Sequence, residues 1–135
     1  MPGWCNGTAG QVFVWLAAHS ALKDDRYLVL AEKAAWHTSE TDSQIGSLCC
    51  GSSGQAYALL ALYRHSGEKA WLHRAQALAE KAAIAYRDMP PGTEADILAL
   101  RPDSLYKGEL GVAVLAADLE NPEAAAQPAF ELIVV

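Results

Sequence analysis

At 135 residues, 52% of them hydrophobic, the chain has material for one domain with a core, and not for two. Ten basic against sixteen acidic residues leave a net charge of −6 with no basic run, which argues against nucleic acid or an anionic membrane surface as partner. No apolar run approaches the ~20 residues of a membrane span. The opening Met1-Pro2-Gly3-Trp4-Cys5 lacks the basic and apolar stretches of a secretory signal, so a cytoplasmic protein with reduced thiols is expected.

Alanine and leucine dominate, and the pattern predicts an all-α fold. Residues 11–22 read as a mostly apolar buried helix. Asp24 or Asp25 is suited to cap a second helix over about 26–39, with Tyr27, Leu28, Leu30, Ala31, Ala34 and Ala35 at helical spacing. Residues 40–48 are polar and read as a loop. A third helix is predicted over about 53–65, stopped by Gly67. A fourth, over about 69–87, sets Trp71, Leu72, Ala75, Leu78 and Ala82 against Lys69, Arg74, Glu80 and Lys81. Residues 88–105, with Pro90-Pro91-Gly92 and Pro102, form a long connection. A fifth helix spans about 109–119, Asn121-Pro122-Glu123 opens a short helical turn, and residues 130–135 are an apolar tail.

A repeat organises these elements. Cys5-Asn6-Gly7-Thr8-Ala9-Gly10 precedes the first helix, Cys49-Cys50-Gly51-Ser52-Ser53-Gly54 the third, and Tyr106-Lys107-Gly108-Glu109-Leu110-Gly111 the fifth. The unit is a Gly-x-x-Gly turn, a buried helix and a more polar returning helix, with glycine serving either positive φ or a close backbone approach. Such hairpins stack, each leaving an apolar face for its neighbour. No Gly-Lys-Ser/Thr follows the turns, so they are not phosphate loops.

Aligned this way, Cys5 and Cys49 occupy equivalent turns, Cys50 is beside Cys49, and Tyr106 fills the third slot. Three thiols then converge at one rim. Soft thiolates select zinc among common cellular metals, and three protein ligands leave one tetrahedral position open. Two other readings stand beside this one. Cys5 can pair with Cys49 or Cys50 in an oxidising compartment, or all three can be buried apolar cysteines. His19 and His65 near helix C-termini read as dipole caps, as does His37, while His73 stands alone. Trp4, Trp15, Trp36 and Trp71 read as core or hairpin-packing residues. Asn6, Tyr106 and Lys107 flank the rim.

The segments Trp4–Gly10, Leu48–Gly54 and Gly108–Gly111, with the Asn121-Pro122-Glu123 and Pro128-Ala129-Phe130 ending, resemble the C-terminal glycine-turn motifs of lanthionine synthetase C-like domains. The resemblance implies an α/α toroid of helical hairpins with zinc near its centre. Cyclases of that family activate a peptide cysteine thiol, which adds to dehydroalanine or dehydrobutyrine and closes a thioether ring. Similar domains accompany kinase domains in some synthetases, and related eukaryotic proteins act on glutathione. By position, Cys5 matches the first zinc ligand and Cys49 the second. Cys50 stands where most members have histidine, as in the family's three-cysteine variant.

The resemblance covers only the final part of the family domain, so residues 1–135 are expected to be its C-terminal segment, a partial toroid without the N-terminal hairpins. The acid/base histidine and the aspartate of the family's cyclases come from earlier hairpins, an arginine often found before the first ligand has no place here, and Asn6 stands where many cyclases have Tyr or His. No catalytic residue is therefore assigned, and Asn6 and Tyr106 are held as candidate rim residues. The expected partners are a cysteine-containing peptide and the remaining hairpins or a kinase domain. The alternative function is a non-catalytic zinc-stabilised module for regulation or substrate docking. Uncovered apolar faces predict self-association, which a stable monomer in sedimentation would contradict.

Overall fold

The structure, a computed structural model, describes residues 2–88, 103–128, 130 and 131. It is helical throughout: α1 is Thr8–Leu22, α2 Asp25–Glu40, α3 Ser52–Ser66, α4 Lys69–Arg87 and α5 Glu109–Asp118, with no strand among the described residues. The predicted connection falls mostly on residues 89–102, and the apolar tail on 132–135, both outside the described residues.

Local chemistry sets the helix ends. The Asp24 carboxylate accepts from the Arg26 backbone N–H at 3.0 Å, satisfying one free donor of the first turn of α2. Gly67 ends α3 at φ +76°, the left-handed conformation glycine takes without steric cost. Two corrections to the sequence reading follow. The first helix starts at Thr8 rather than near Gln11, because Gly7 is its N-terminal cap residue and Gly10 lies within the first turn. Asn121-Pro122-Glu123 opens hydrogen-bonded turns, Ala124 N–H to Asn121 C=O at 3.0 Å, and not a helix.

α1 pairs with α2 and α3 with α4 as helical hairpins. α1 and α5 both lie against α3, while α2 and α4 touch behind them. Thus α1, α3 and α5 form an inner layer and α2 and α4 an outer one, the layered arrangement of an α/α toroid segment. α2 turns Ala31, Ala34, Ala35 and Thr38 inward at helical spacing, and these small side chains let it sit close to its neighbours. α3 is the spine of the molecule, buried from Ser52 to Tyr63. Two of its polar residues are tied to neighbouring elements: Gln55 Nε2 donates to the Thr38 and Thr41 carbonyls at 2.8 Å each, and the Tyr57 hydroxyl donates to Asp118 at 2.6 Å. Trp36 is not a core residue. It packs edge-on against Trp71 at 5.3 Å under the Arg74 guanidinium and links the two outer helices.

The repeated turn has a single steric cause. A Cβ on Gly10, Gly54 or Gly111 would come within 3.0 Å of the backbone carbonyl oxygen six residues earlier, that of Trp4, Leu48 or Leu105 respectively. Real Cβ atoms do not approach so closely, so the turn can fold against the helix start only where no side chain intervenes. The cap residues Gly7, Gly51 and Gly108 are all extended, with φ of −139°, −115° and −112°. Close approach, and not positive φ, explains the motif. By packing the three inner helices side by side, the fold gathers their preceding turns at one end.

Candidate metal centre

Backbone hydrogen bonds join the three turns directly. The Trp4 and Cys5 N–H groups donate to the Cys49 carbonyl at 3.0 and 3.3 Å, and the Cys49 N–H donates to the Tyr106 carbonyl at 2.9 Å. Cys49 is therefore the central residue, with its peptide group bonded to one turn on either side. Below it Leu48 is fully buried, and the Gly51 N–H returns to the Ser47 carbonyl at 3.0 Å. A thiol on this frame is placed by main chain, with little freedom beyond its own χ1.

The side chains converge as the aligned repeats imply. The Cys50 sulfur is 3.5 Å from the Cys5 sulfur and 3.5 Å from the Cys49 sulfur, and all three lie within 4.8 Å of one another. A disulfide needs about 2.05 Å, so none is formed. Thiolates around a tetrahedral ion at about 2.3 Å stand about 3.8 Å apart. Two of the spacings lie just under that edge and the third is within 4.8 Å, so the three sulfurs fit one face of a tetrahedron with modest adjustment. They are the group of histidine, cysteine or carboxylate ligands close enough to hold a metal among the described residues, and no imidazole or carboxylate joins them.

Electrostatics sharpen the point. Burial pushes the Cys49 thiol up to about 12, with hydrogen bonds from Cys5 and Cys50 as the next causes. Burial raises the Cys50 thiol as well, while the nearby Lys107 ammonium opposes it. Crowded, partly desolvated thiols resist ionising together unless a cation compensates them. A soft divalent ion supplies that compensation. The arrangement is thus a group of three sulfurs that could hold a metal ion.

Of the rim candidates, Asn6 is within weak contact of Cys5, its Oδ1 3.8 Å from the sulfur. Tyr106 turns away from the thiols: its ring stacks on Trp4 at 5.6 Å and its hydroxyl donates to the Pro128 carbonyl at 2.6 Å. Trp4, read from sequence as a packing residue, also meets Phe130 edge-on at 5.4 Å and walls a cavity of about 430 Å³ that opens beside Cys5. Its position next to the first cysteine was the available signal. Phe130 lies far along the chain and could not be assigned there.

His19 and His65 are more than separate caps. His19 Nδ1 is 2.8 Å from His65 Nε2, and His19 Nε2 is 3.3 Å from Asp25 Oδ1. The contacts form a chain from Asp25 through His19 to His65. Both rings are in the last turns of α1 and α3. That places His19 roughly 16 Å along α1 from the thiol end. Burial lowers the His65 pKa from its usual 6.5, with the His19 and Lys23 charges adding to the effect. The unfolded chain then binds more protons than the folded one as pH falls through about 6.5, and stability drops there. The metal-free protein should lose melting temperature between pH 7.5 and 5.5, and His65→Asn should flatten that loss. Parallel profiles for the two proteins would refute the assignment.

The family model of the lanthionine synthetase C-like protein matches residues 1–132. Over 134 residues the chain is 29% identical to "Glutathione S-transferase LANCL1" of Danio rerio, a match that covers 96% of this chain and 31% of that protein. The chain therefore spans less than a third of the length of this relative. No described helix is long and apolar enough to cross a membrane. The glycine turns, the layered hairpins, the converging thiols and a family match over nearly the whole chain agree: the chain belongs to the lanthionine synthetase C-like family.

Proposed function

We propose that Cys5, Cys49 and Cys50 hold a zinc ion and that the chain is the C-terminal, metal-bearing segment of a thioether-forming peptide cyclase. The observation that carries this reading is the convergence of three thiols from two joined turns, with Cys5 also lining a cavity. Zinc held there would supply the charge that lets an incoming cysteine thiol ionise near neutral pH. The chain's own residues position that charge: the Cys49 peptide group locks two turns together, and the Trp4 wall confines the approach. In the reaction proposed, a sulfur–carbon bond forms at the β-carbon of dehydroalanine or dehydrobutyrine. The carbon–carbon π bond is lost, and the thiol proton ends on the α-carbon. No oxidant or reductant is consumed.

A second reading has its own observation. Among the described residues no imidazole joins the three thiols in a metal-holding group, and His19 and His65 sit at the far ends of α1 and α3. A zinc-stabilised docking or regulatory module, for example beside a kinase domain, needs no such group. The two separate in one assay. Zinc-loaded chain is mixed with a peptide bearing one dehydroalanine and one cysteine, and loss of free thiol is followed by alkylation and mass. Faster ring closure than with Cys49→Ala supports the cyclase segment; equal rates favour the module. The same assay with added upstream hairpins shows whether the missing acid/base group lies there.

A further inference from the structure

The cavity beside Cys5 is chemically one-sided. Trp4, Phe130 and Val14 give it an apolar wall, and Asn6 and Gln11 are its side-chain polar groups. Among the described residues, no Asp, Glu, Lys or Arg lines it. Trp4 is held rigidly, stacked on Tyr106 and edge-on to Phe130, which in turn meets Phe13 edge-on at 5.4 Å. Lys107, whose charge acts on the Cys50 thiol, is outside this lining. A second cavity, of about 790 Å³, shares Val14 and Phe130 with the first and continues along α1 and α3 toward His65. Its cation, Arg64, is already engaged by Glu131 and the Ala125 carbonyl.

From this lining we infer that the pocket selects the incoming thiol, taking a neutral thiol with an apolar group next to its sulfur-bearing carbon and disfavouring glutathione. The inference rests on the zinc–thiol reading above and adds the substrate class to it. Glutathione carries two carboxylates and one ammonium at neutral pH. Against this wall those carboxylates would find no cation among the described lining residues, so whatever water they give up to the Trp4 face is not compensated. The protein's net charge of −6 opposes an anionic thiol further. A peptide cysteine flanked by an apolar residue meets the opposite conditions. Its side chain covers the Trp4 face, and its neutral amides suit Asn6 and Gln11. The continuing groove leaves room for more chain than a tripeptide.

Cobalt-loaded full chain tests this without any turnover, because thiolate–cobalt charge-transfer absorption reports a new sulfur at the centre. Phenylmethanethiol, 2-mercaptoethanol and glutathione serve as probes. The expected result is half-saturation by phenylmethanethiol at a concentration at least tenfold below that of glutathione, with 2-mercaptoethanol between them. Val14 is 56% exposed on α1, so Val14→Lys leaves the fold intact while adding a cation at the wall. It should narrow the ratio at least threefold. Equal half-saturation by all three thiols, or an unchanged ratio in Val14→Lys, overturns the selectivity alone. Absence of thiolate–cobalt absorption from the protein's own cysteines overturns the metal reading and this inference with it.

Discussion

Reduced protein should carry close to one zinc per chain by elemental analysis, and Cys49→Ala and Cys50→Ala should each lose it. The geometry makes both losses severe. The Cys50 sulfur is 3.5 Å from each of the other two, so its removal leaves a separated pair. Two thiolates cannot enforce the three-ligand face, and affinity should fall by at least about 100-fold, beyond the range seen for losing a supporting contact. Cys50→Ala is also the cleaner variant, since Cys49 is partly buried and its peptide group joins three turns. The loss has a thermodynamic companion. Metal that binds only the folded state stabilises it by about 2.7 kcal/mol when present at 100 times its dissociation constant. A chelator should therefore lower the melting temperature of the wild type by several degrees and leave Cys50→Ala unmoved. Well-folded wild type without zinc, or a variant with full zinc, would refute the centre.

The helices were legible because their apolar spacing and end signals are local. The fourth helix, Lys69–Arg87, matches its prediction at both ends, and Gly67 stops the third as expected. The convergence of Cys5 with Cys49 and Cys50 was legible for a different reason. Equivalent turns in a repeat must lie at the same end of neighbouring helices, so alignment alone brings the thiols to one rim. What alignment lacks is atomic detail. Nothing in the sequence shows that the Cys49 carbonyl receives two N–H groups from the first turn, or that Tyr106 spends its hydroxyl on Pro128 and its ring on Trp4. The His19–His65 contact was hidden because caps are read one helix at a time, while the contact needs the lateral packing of α1 on α3. The start of the first helix was misplaced because Gly10 counts against a helix by propensity, yet tertiary packing requires glycine there.

That same packing sets the second large effect: Gly54→Ala should destabilise the protein by about 3 kcal/mol or more in chemical denaturation. The added methyl meets the Leu48 carbonyl oxygen and the Trp4 Cβ. The carbonyl cannot rotate aside as a flexible side chain would, because Leu48 is fully buried and Cys49, the next residue, is hydrogen-bonded to two other turns. Overpacking against fixed backbone belongs at the upper end of the usual mutational range. Gly67→Ala is the control, with φ +76° and nothing within 4 Å of the new methyl. Only the left-handed backbone penalty remains there, about 1 kcal/mol. The two alanines should also differ at the metal. Relief of the Gly54→Ala clash must move the Leu48 carbonyl, which displaces the Cys49 and Cys50 sulfurs from their common face. Zinc affinity should therefore fall in whatever fraction of Gly54→Ala still folds, and stay at the wild-type value in Gly67→Ala. Equal destabilisation by the two substitutions, or wild-type zinc affinity in Gly54→Ala, would show that the turn yields without strain and that its glycine does not govern the placement of the thiols.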